Sequence, residues 1–163
     1  MFVRTAGELD LEAVRALLVE TWHATYDAIY GAAKVTAMTD SWHSITELKA
    51  RMAQPRSEFV VADDGVMIAG MAFAAADESG KTVTLRQLYV HPSSQGRGIG
   101  GMLLDEVVES FPDAERISLE VDPENRRAIA FYEAQGFLHV GATPHCGGDA
   151  LALPALIYER LLA

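Results

Sequence analysis

Only one cysteine, Cys146, stands in the 163 residues. An intrachain disulfide framework is therefore excluded, and a reducing compartment is the expectation. Cations are scarce: 13 lysines and arginines face 23 aspartates and glutamates, for a formal net charge of −10. Sequence-independent nucleic-acid binding rests on clustered cations, so no nucleic-acid partner is expected. A cationic small molecule or a basic peptide is attracted instead, and the charge also confers solubility. No apolar run reaches the length that crosses a bilayer, so no membrane partner is expected either. The first residues, MFVRTAGELDLEAV, carry acids where a signal peptide has its apolar stretch, which makes cytoplasmic the expected location. Internal repeats, low-complexity tracts and interdomain linkers are also missing. The length then predicts one domain over residues 1–163.

What is present is apolar periodicity. Phe2-Val3-Arg4 reads as a short first strand. From Asp10 to about His23, residues Leu11, Val14, Leu17 and Leu18 recur at helical spacing with one apolar face. An aromatic and histidine-rich stretch, WHATYDAIYG, precedes a second helical region around Ala32 to Trp42. A third helix, Ile45 to Met52, ends before Pro55. Beyond Pro55 the texture changes to strands: EFVVA, VMIAGMAFAAA and TVTLRQLYV, joined by DDG and ESGK turns, with an irregularity expected at Gly70. These form an antiparallel meander. A helix over Gly98 to Ser110, the strand RISLEV, and a helix beginning near Asn125 with Gly136 as its C-cap follow. Phe137 to Val140 and Leu153 to Leu161 read as closing strands around a glycine-rich loop, TPHCGGD.

The stretch VHPSSQGRGIGG, Val90 to Gly101, feeds a glycine-rich turn into a helix. Glycines at 96, 98, 100 and 101 leave backbone N–H groups uncovered, and the helix adds its positive end, so a phosphate group is the expected guest. A nucleoside-triphosphate loop is excluded, because no Gly-Lys-Ser or Gly-Lys-Thr occurs in the chain. Gly96, Gly98 and Gly101 do spell the dinucleotide fingerprint, and Glu120 lies roughly where a ribose-binding acid belongs. Against that reading, His91 to Gln95 separate the strand from the first glycine, the strand belongs to an antiparallel meander, and a single βαβ crossover is visible. Coenzyme A is the third candidate.

LYVHPSSQGRGIGGMLL resembles the acyl-CoA-binding segment of the GNAT superfamily of N-acyltransferases. Its pattern [QR]-x-x-G-x-[GA] is met by Gln95, Gly98 and Gly100, with Val90 and Pro92 upstream. A second block, SLEVDPENRRAIAFYEAQGF, resembles the family's other signature through Asn125, Ala128, Tyr132, Gly136 and Phe137. The resemblance covers roughly residues 58 to 141 and, more loosely, the whole chain. It implies a GNAT-like α/β (α+β) fold: a mixed, mostly antiparallel twisted sheet flanked by helices, with one βαβ crossover at the coenzyme site. It also implies acetyl transfer from acetyl-CoA to a primary amine within a ternary complex, without a metal. The acceptor is a small molecule or a peptide N-terminus, and the family admits a homodimer. A non-catalytic acyl-CoA-binding or regulatory module is the alternative. Carried over by position, the cofactor-binding residues are Leu88, Tyr89, Val90, Gln95, Gly96, Arg97, Gly98, Ile99, Gly100, Gly101, Asn125 and Tyr132. The same resemblance implies that the N–H of Leu88 faces the thioester oxygen.

Such a transfer needs a neutral amine, donors for the developing negative oxygen, and a proton for the departing thiolate. The resemblance assigns the last to Tyr132, whose phenol also suits plain packing beside Phe131. It assigns the base to Glu120, which holds the spacing to Asn125 and Tyr132 found in a branch acting on protein N-termini. Glu120 reads equally as an exposed strand residue or a partner of Arg116 or Arg86. Asn125 suits a pantetheine amide or the cap of the following helix, and the two are compatible. The resemblance places Trp22, His23, Tyr26 and Tyr30 where the family lines its acceptor pocket, and as aromatics they also suit the core. His139, His145 and Cys146 lack the spacing of a closed metal site. The ending PALIYERLL departs from the family's frequent acidic-Ala-x-x-Met strand, at the acceptor side and any dimer contact made there.

Overall fold

The computed structural model describes residues 1–146 and 153–162. Its centre is set by β3 (Ile68–Ala76), whose sequence IAGMAFAAA has no polar face and is buried along nearly its whole length. Such a strand needs cover on both sides. β1 (Phe2–Thr5), β2 (Ser57–Asp63) and β4 (Thr82–Val90) flank it, then β5 (Arg116–Val121), with β6 (Leu138–Cys146) and β7 (Leu153–Leu161) beyond. Together they form one seven-stranded sheet in the order β1-β2-β3-β4-β5-β7-β6. Every pairing is antiparallel except β4 with β5, which are joined by α4 (Ile99–Glu109) in the single parallel crossover.

One face of the sheet packs Val60, Ala72, Val83, Leu85 and Leu119 against Leu103, Leu104 and Val107 of α4. α5 (Arg126–Ala134) joins this face through Tyr132. The other face packs Phe59, Val61, Met71 and Phe73 under α1 (Leu11–Tyr30) and α3 (Ile45–Ala53). A third cluster joins α1 to α2 (Ala32–Trp42) through Trp22, Tyr26, Val35 and Met38, with Tyr89 against it.

Two elements run longer than expected. α1 does not stop at His23: Trp22, Tyr26 and Tyr30 fall at i, i+4 and extend its stripe until Gly31 ends the helix. β6 continues past Val140 to Cys146 by absorbing register shifts around Gly141 and after Thr143. The first part of the expected TPHCGGD loop is therefore strand, whereas Gly147 to Asp149 lie outside the described residues. The irregularity expected at Gly70 falls one residue earlier: Ala62 pairs Gly70 and Asp63 pairs Ile68, which leaves Ala69 as the extra residue. A Cβ on Gly70 would stand 2.9 Å from the carbonyl oxygen of Tyr89.

β4 carries the two features that make the site. Its parallel pairing with β5 runs from Thr82↔Arg116 to Leu85↔Leu119 and stops, although β4 continues to Val90 and β5 to Val121. The strands fork there. Beside the fork, Phe73 pairs Gln87 and Ala74 pairs Leu85, so Arg86 is an extra residue, a β-bulge. Strict alternation would put Leu88 on the face opposite Leu85. The bulge resets the phase, so Leu88 and Val90 join Leu85 on the α4 face and Tyr89 turns toward α1 and α2.

Candidate active site

The fork exposes backbone. The N–H of His91 donates to the carbonyl of Ala69 at 2.8 Å, so His91 and Tyr89 hydrogen-bond toward β3. Alternation then points the N–H and C=O of Leu88 and Val90 at the other edge, which β5 has left open. Gln95 takes the Val90 carbonyl, its Nε2 donating at 3.1 Å. The amide of Gln95 thus folds the glycine turn back onto the strand.

The turn ends at Gly98, the N-cap of α4, with φ +79°. The first bond of the helix end runs from the N–H of Met102 to the carbonyl of Gly98 at 3.1 Å. The N–H groups of Ile99, Gly100 and Gly101 therefore have no acceptor within the helix and point out of its positive end. A Cβ on Gly100 would meet the Phe131 ring at 3.1 Å, so a glycine there lets α4 and α5 close against each other. His91 anchors the start of the turn: its Nδ1 accepts from the N–H of Ser93 at 3.1 Å and its Nε2 pairs with Glu20 of α1.

Across the fork, β5 delivers Glu120 and Val121, and Asp122 follows its last residue. Glu120 is exposed and forms no ion pair with Arg86, Arg116 or any other described residue. Asp122 is buried and committed: one carboxylate oxygen accepts from the N–H of Glu124 at 2.8 Å, the other from the Tyr30 hydroxyl. Burial, followed by this carboxylate, raises the pKa of Tyr30. Asn125 caps α5, its Oδ1 accepting from the N–H of Ala128 at 3.1 Å, while its Nδ2 donates to the hydroxyl of Tyr26 at 3.1 Å. Tyr132 is 8% exposed, with Phe131 and Phe137 at ring-centroid distances of 5.2 and 5.5 Å. Its hydroxyl has no partner among the described residues, and burial, with a further contribution from Tyr26, pushes its pKa up.

These groups surround one cavity of about 560 Å³, within the size range of ligand sites. Every site residue expected from the sequence lines it except Arg97, which is exposed outside it. Trp22 and Tyr26 are both core and wall: they are buried, they line the cavity, and their rings lie 4.7 Å apart. Trp42 adds an edge-on ring 5.5 Å from Trp22. His23 instead pairs with Asp27 at 2.6 Å and does not line the cavity. His139 stacks on Tyr158 and meets the Gly141 carbonyl at 2.9 Å, and the side chains of His145 and Cys146 lie outside the described residues. Sequence reading missed Arg86, Asp122 and Arg127 as lining residues. Arg86 carried no signal as a lining residue, because TVTLRQLYV has no glycine to mark the bulge. Asp122 had one, since it follows Glu120 by two, directly after the strand ends at Val121.

A strand edge with open amides leading to a helix N-terminus without a side-chain cap fits an extended anionic ligand, paired with backbone at one end and holding its phosphates at the other. A family model described as the Acetyltransferase (GNAT) family matches residues 12–137, and the chain belongs to that family. Among curated relatives, the N-alpha-acetyltransferase RimI of Mycobacterium tuberculosis is 34% identical over 55% of this chain and 58% of its own. The mycothiol acetyltransferase of Beutenbergia cavernae is 35% identical over 52% of this chain and 28% of its own. The match therefore spans less than two thirds of either relative. Among solved structures, the PaiA N-acetyltransferase from Thermoplasma acidophilum in complex with coenzyme A superposes with a TM-score of 0.86. It covers 99% of this chain and 98% of that one at 20% identity. At that identity the likeness is one of fold.

Proposed function

We propose that this chain is an N-acetyltransferase that moves the acetyl group of acetyl-CoA directly onto a primary amine while both are bound. The observation that carries the reading is the fork: the open edge of β4 runs into the unpaired amides at the start of α4, within one cavity that also holds Tyr132 and Glu120. Acetyl-CoA supplies a thioester, an activated acyl group. The N–H groups of Ile99, Gly100 and Gly101 hold its pyrophosphate, and Arg97 adds a cation on the solvent side. The edges of Leu88 and Val90 pair with its pantetheine amides. Asn125, already spent on its cap and on Tyr26, acts by fixing the start of α5 beside that arm.

The N–H of Leu88 donates to the acyl oxygen as negative charge grows there. Glu120 takes a proton from the amine, directly or through water, so that the nitrogen attacks as a neutral base. The new N–C bond forms as the C–S bond breaks, Tyr132 gives its proton to the departing sulfur, and the proton that the nitrogen sheds on becoming an amide returns to the Tyr132 oxygen. Buried and unpartnered, Tyr132 is held in its protonated form for this step.

Release of free thiol from acetyl-CoA, measured over a panel of amines, amino acids and N-terminal peptides, tests the reading. Coenzyme A binding without thiol release from any of them would favour a non-catalytic module. With an active acceptor in hand, Glu120→Gln should lower kcat/KM most at low pH, where the amine is protonated, and recover in part as pH rises. A defect confined to KM that shrinks with salt would make Glu120 an electrostatic attractor. A profile like that of the unaltered protein would remove Glu120 from the chemistry.

A further inference from the structure

The last paired position of the fork is Leu85 opposite Leu119. Arg86 and Glu120 are the next residue on each arm. Parallel strands start from a spacing of about 4.8 Å, so a guanidinium and a carboxylate stand on the two sides of the opening where the arms part. Both are exposed and both line the cavity. Neither forms a hydrogen bond or ion pair with any described residue, nor with the other. The second cavity-lining carboxylate, Asp122, is consumed by Tyr30 and Glu124. Glu120 is thus the free anion of the cavity among the described residues. Arg86 holds the bulge on the other arm, a device that re-aims one side chain out of the regular pleat, and the two residues share the cavity wall. The second cavity-lining arginine, Arg127, belongs to the first turn of α5 and not to either arm of the fork.

Opposite charges placed across one opening and left unpaired suit a ligand that carries both signs. A simple alkylamine would satisfy Glu120 and be repelled by Arg86 at short range. An amine that also bears a carboxylate satisfies both, through a charge-assisted contact at each end. Trp22, Tyr26 and Trp42 provide an apolar wall for the rest of such a molecule.

We infer that Arg86 is a specificity residue of the acceptor site, and that the acceptor is an amine bearing a carboxylate. This inference rests on the transferase reading for the amine's role and on the geometry of the fork for the carboxylate's. The shared chemistry has two sources: a free amino acid, and a peptide that begins with Asp or Glu.

The test is calorimetric titration of the protein preloaded with coenzyme A. The probes are the twenty L-amino acids, their C-terminal carboxamides, and peptide amides beginning with Asp or Glu against those beginning with Asn or Gln. Carboxylate-bearing probes of one of the two kinds should bind about 10- to 100-fold more tightly than their uncharged partners. Which kind does so identifies the source. Arg86→Gln should erase that preference while leaving coenzyme A affinity and the weaker partner's affinity unchanged, and Arg86→Lys should keep part of it. In thiol release the same loss should fall on KM, with kcat retained. Equal binding of acids and carboxamides, equal loss of both in Arg86→Gln, or no binding by any probe would overturn the inference. Preferential binding without thiol release would instead sink the transferase reading and leave the two-sign site standing.

Discussion

The phenol of Tyr132 keeps its proton because of where it lies, not because of a partner. Burial, first, and the nearby Tyr26 move it above its ordinary pKa of 10.0. Raised pKa means the proton is retained through the range in which a free tyrosine ionises, so no alkaline loss of kcat below pH about 10 should trace to this group. Tyr132→Phe keeps the ring against Phe131 and Phe137 and removes only the hydroxyl. The variant should lose about 10- to 1000-fold in kcat with little change in coenzyme A affinity, and its unfolding free energy should move by less than about 0.5 kcal/mol, since no protein hydrogen bond is lost. Steady-state kinetics beside calorimetry checks this; a matching fall in affinity would make Tyr132 a packing residue of the cofactor cleft. Tyr132, Glu120 and Asn125 were legible because their spacing lies within one strand and one helix. The bond from Asn125 to Tyr26 was not, since it joins α5 to a helix from the opposite end of the sequence. Arg86 entered the sequence reading only as a partner for Glu120, and the ion pair does not form.

At the scale of elements, the end of β4 is what the rest of the sheet has to position. Gly70 permits this, because its neighbours leave no space for a side chain: besides the Tyr89 carbonyl, a Cβ would meet Leu103 Cδ1 at 3.0 Å. Gly70→Ala should push β4 and α4 away from β3, costing about 1–3 kcal/mol, or roughly 2–12 °C in Tm for a chain this long. Coenzyme A affinity should weaken along with it, because Tyr89, Val90 and the start of α4 move together. Thermal unfolding and a coenzyme A titration on the same sample check both; an unchanged Tm would show that the strand yields freely. The strands β4, β5 and β7 were readable nearly to the residue, since each is bounded by turn residues or charge. The end of α1 was not, because WHATYDAIY is aromatic enough to suggest a change of structure, whereas its spacing by four continues the helix. The fork itself leaves no mark in either strand, as it depends on where two segments stop pairing.

Over the whole molecule, acid stability and anion binding both run against the net charge of −10. His43 is buried between Arg15 and Arg51, whose guanidinium donates to its Nδ1 at 3.2 Å, and burial, then Arg51, depresses its pKa from 6.5 to about 3. The unfolded chain takes up this proton below pH 6.5 and the folded one resists, so stability present above that value is lost as pH falls toward 3. Unfolding measured from pH 7 to 4 should show a loss on the order of 2–4 kcal/mol from this group, and a shallower slope in His43→Asn; equal slopes would assign the acid loss to the carboxylates. An acidic chain that binds an anion must rely on local donors, and the proposed ones are the amides at the start of α4. Gly98→Asp and Gly100→Asp would block them but also strain the backbone at φ +79° or strike Phe131. Gly101 is the third helical residue, and a Cβ there meets nothing closer than Gln135 Nε2 at 3.8 Å. An aspartate at that position suits the helix end, so it should leave the fold intact while repelling a phosphate. The most direct measurement is therefore calorimetric titration of coenzyme A, with NAD as comparison, into the unaltered protein, Gly101→Ala and Gly101→Asp. The account predicts binding of coenzyme A and not NAD, affinity kept within a few-fold in Gly101→Ala, and a loss of about 100-fold or more in a well-folded Gly101→Asp. Undiminished coenzyme A affinity in that variant, or a preference for NAD, would contradict it.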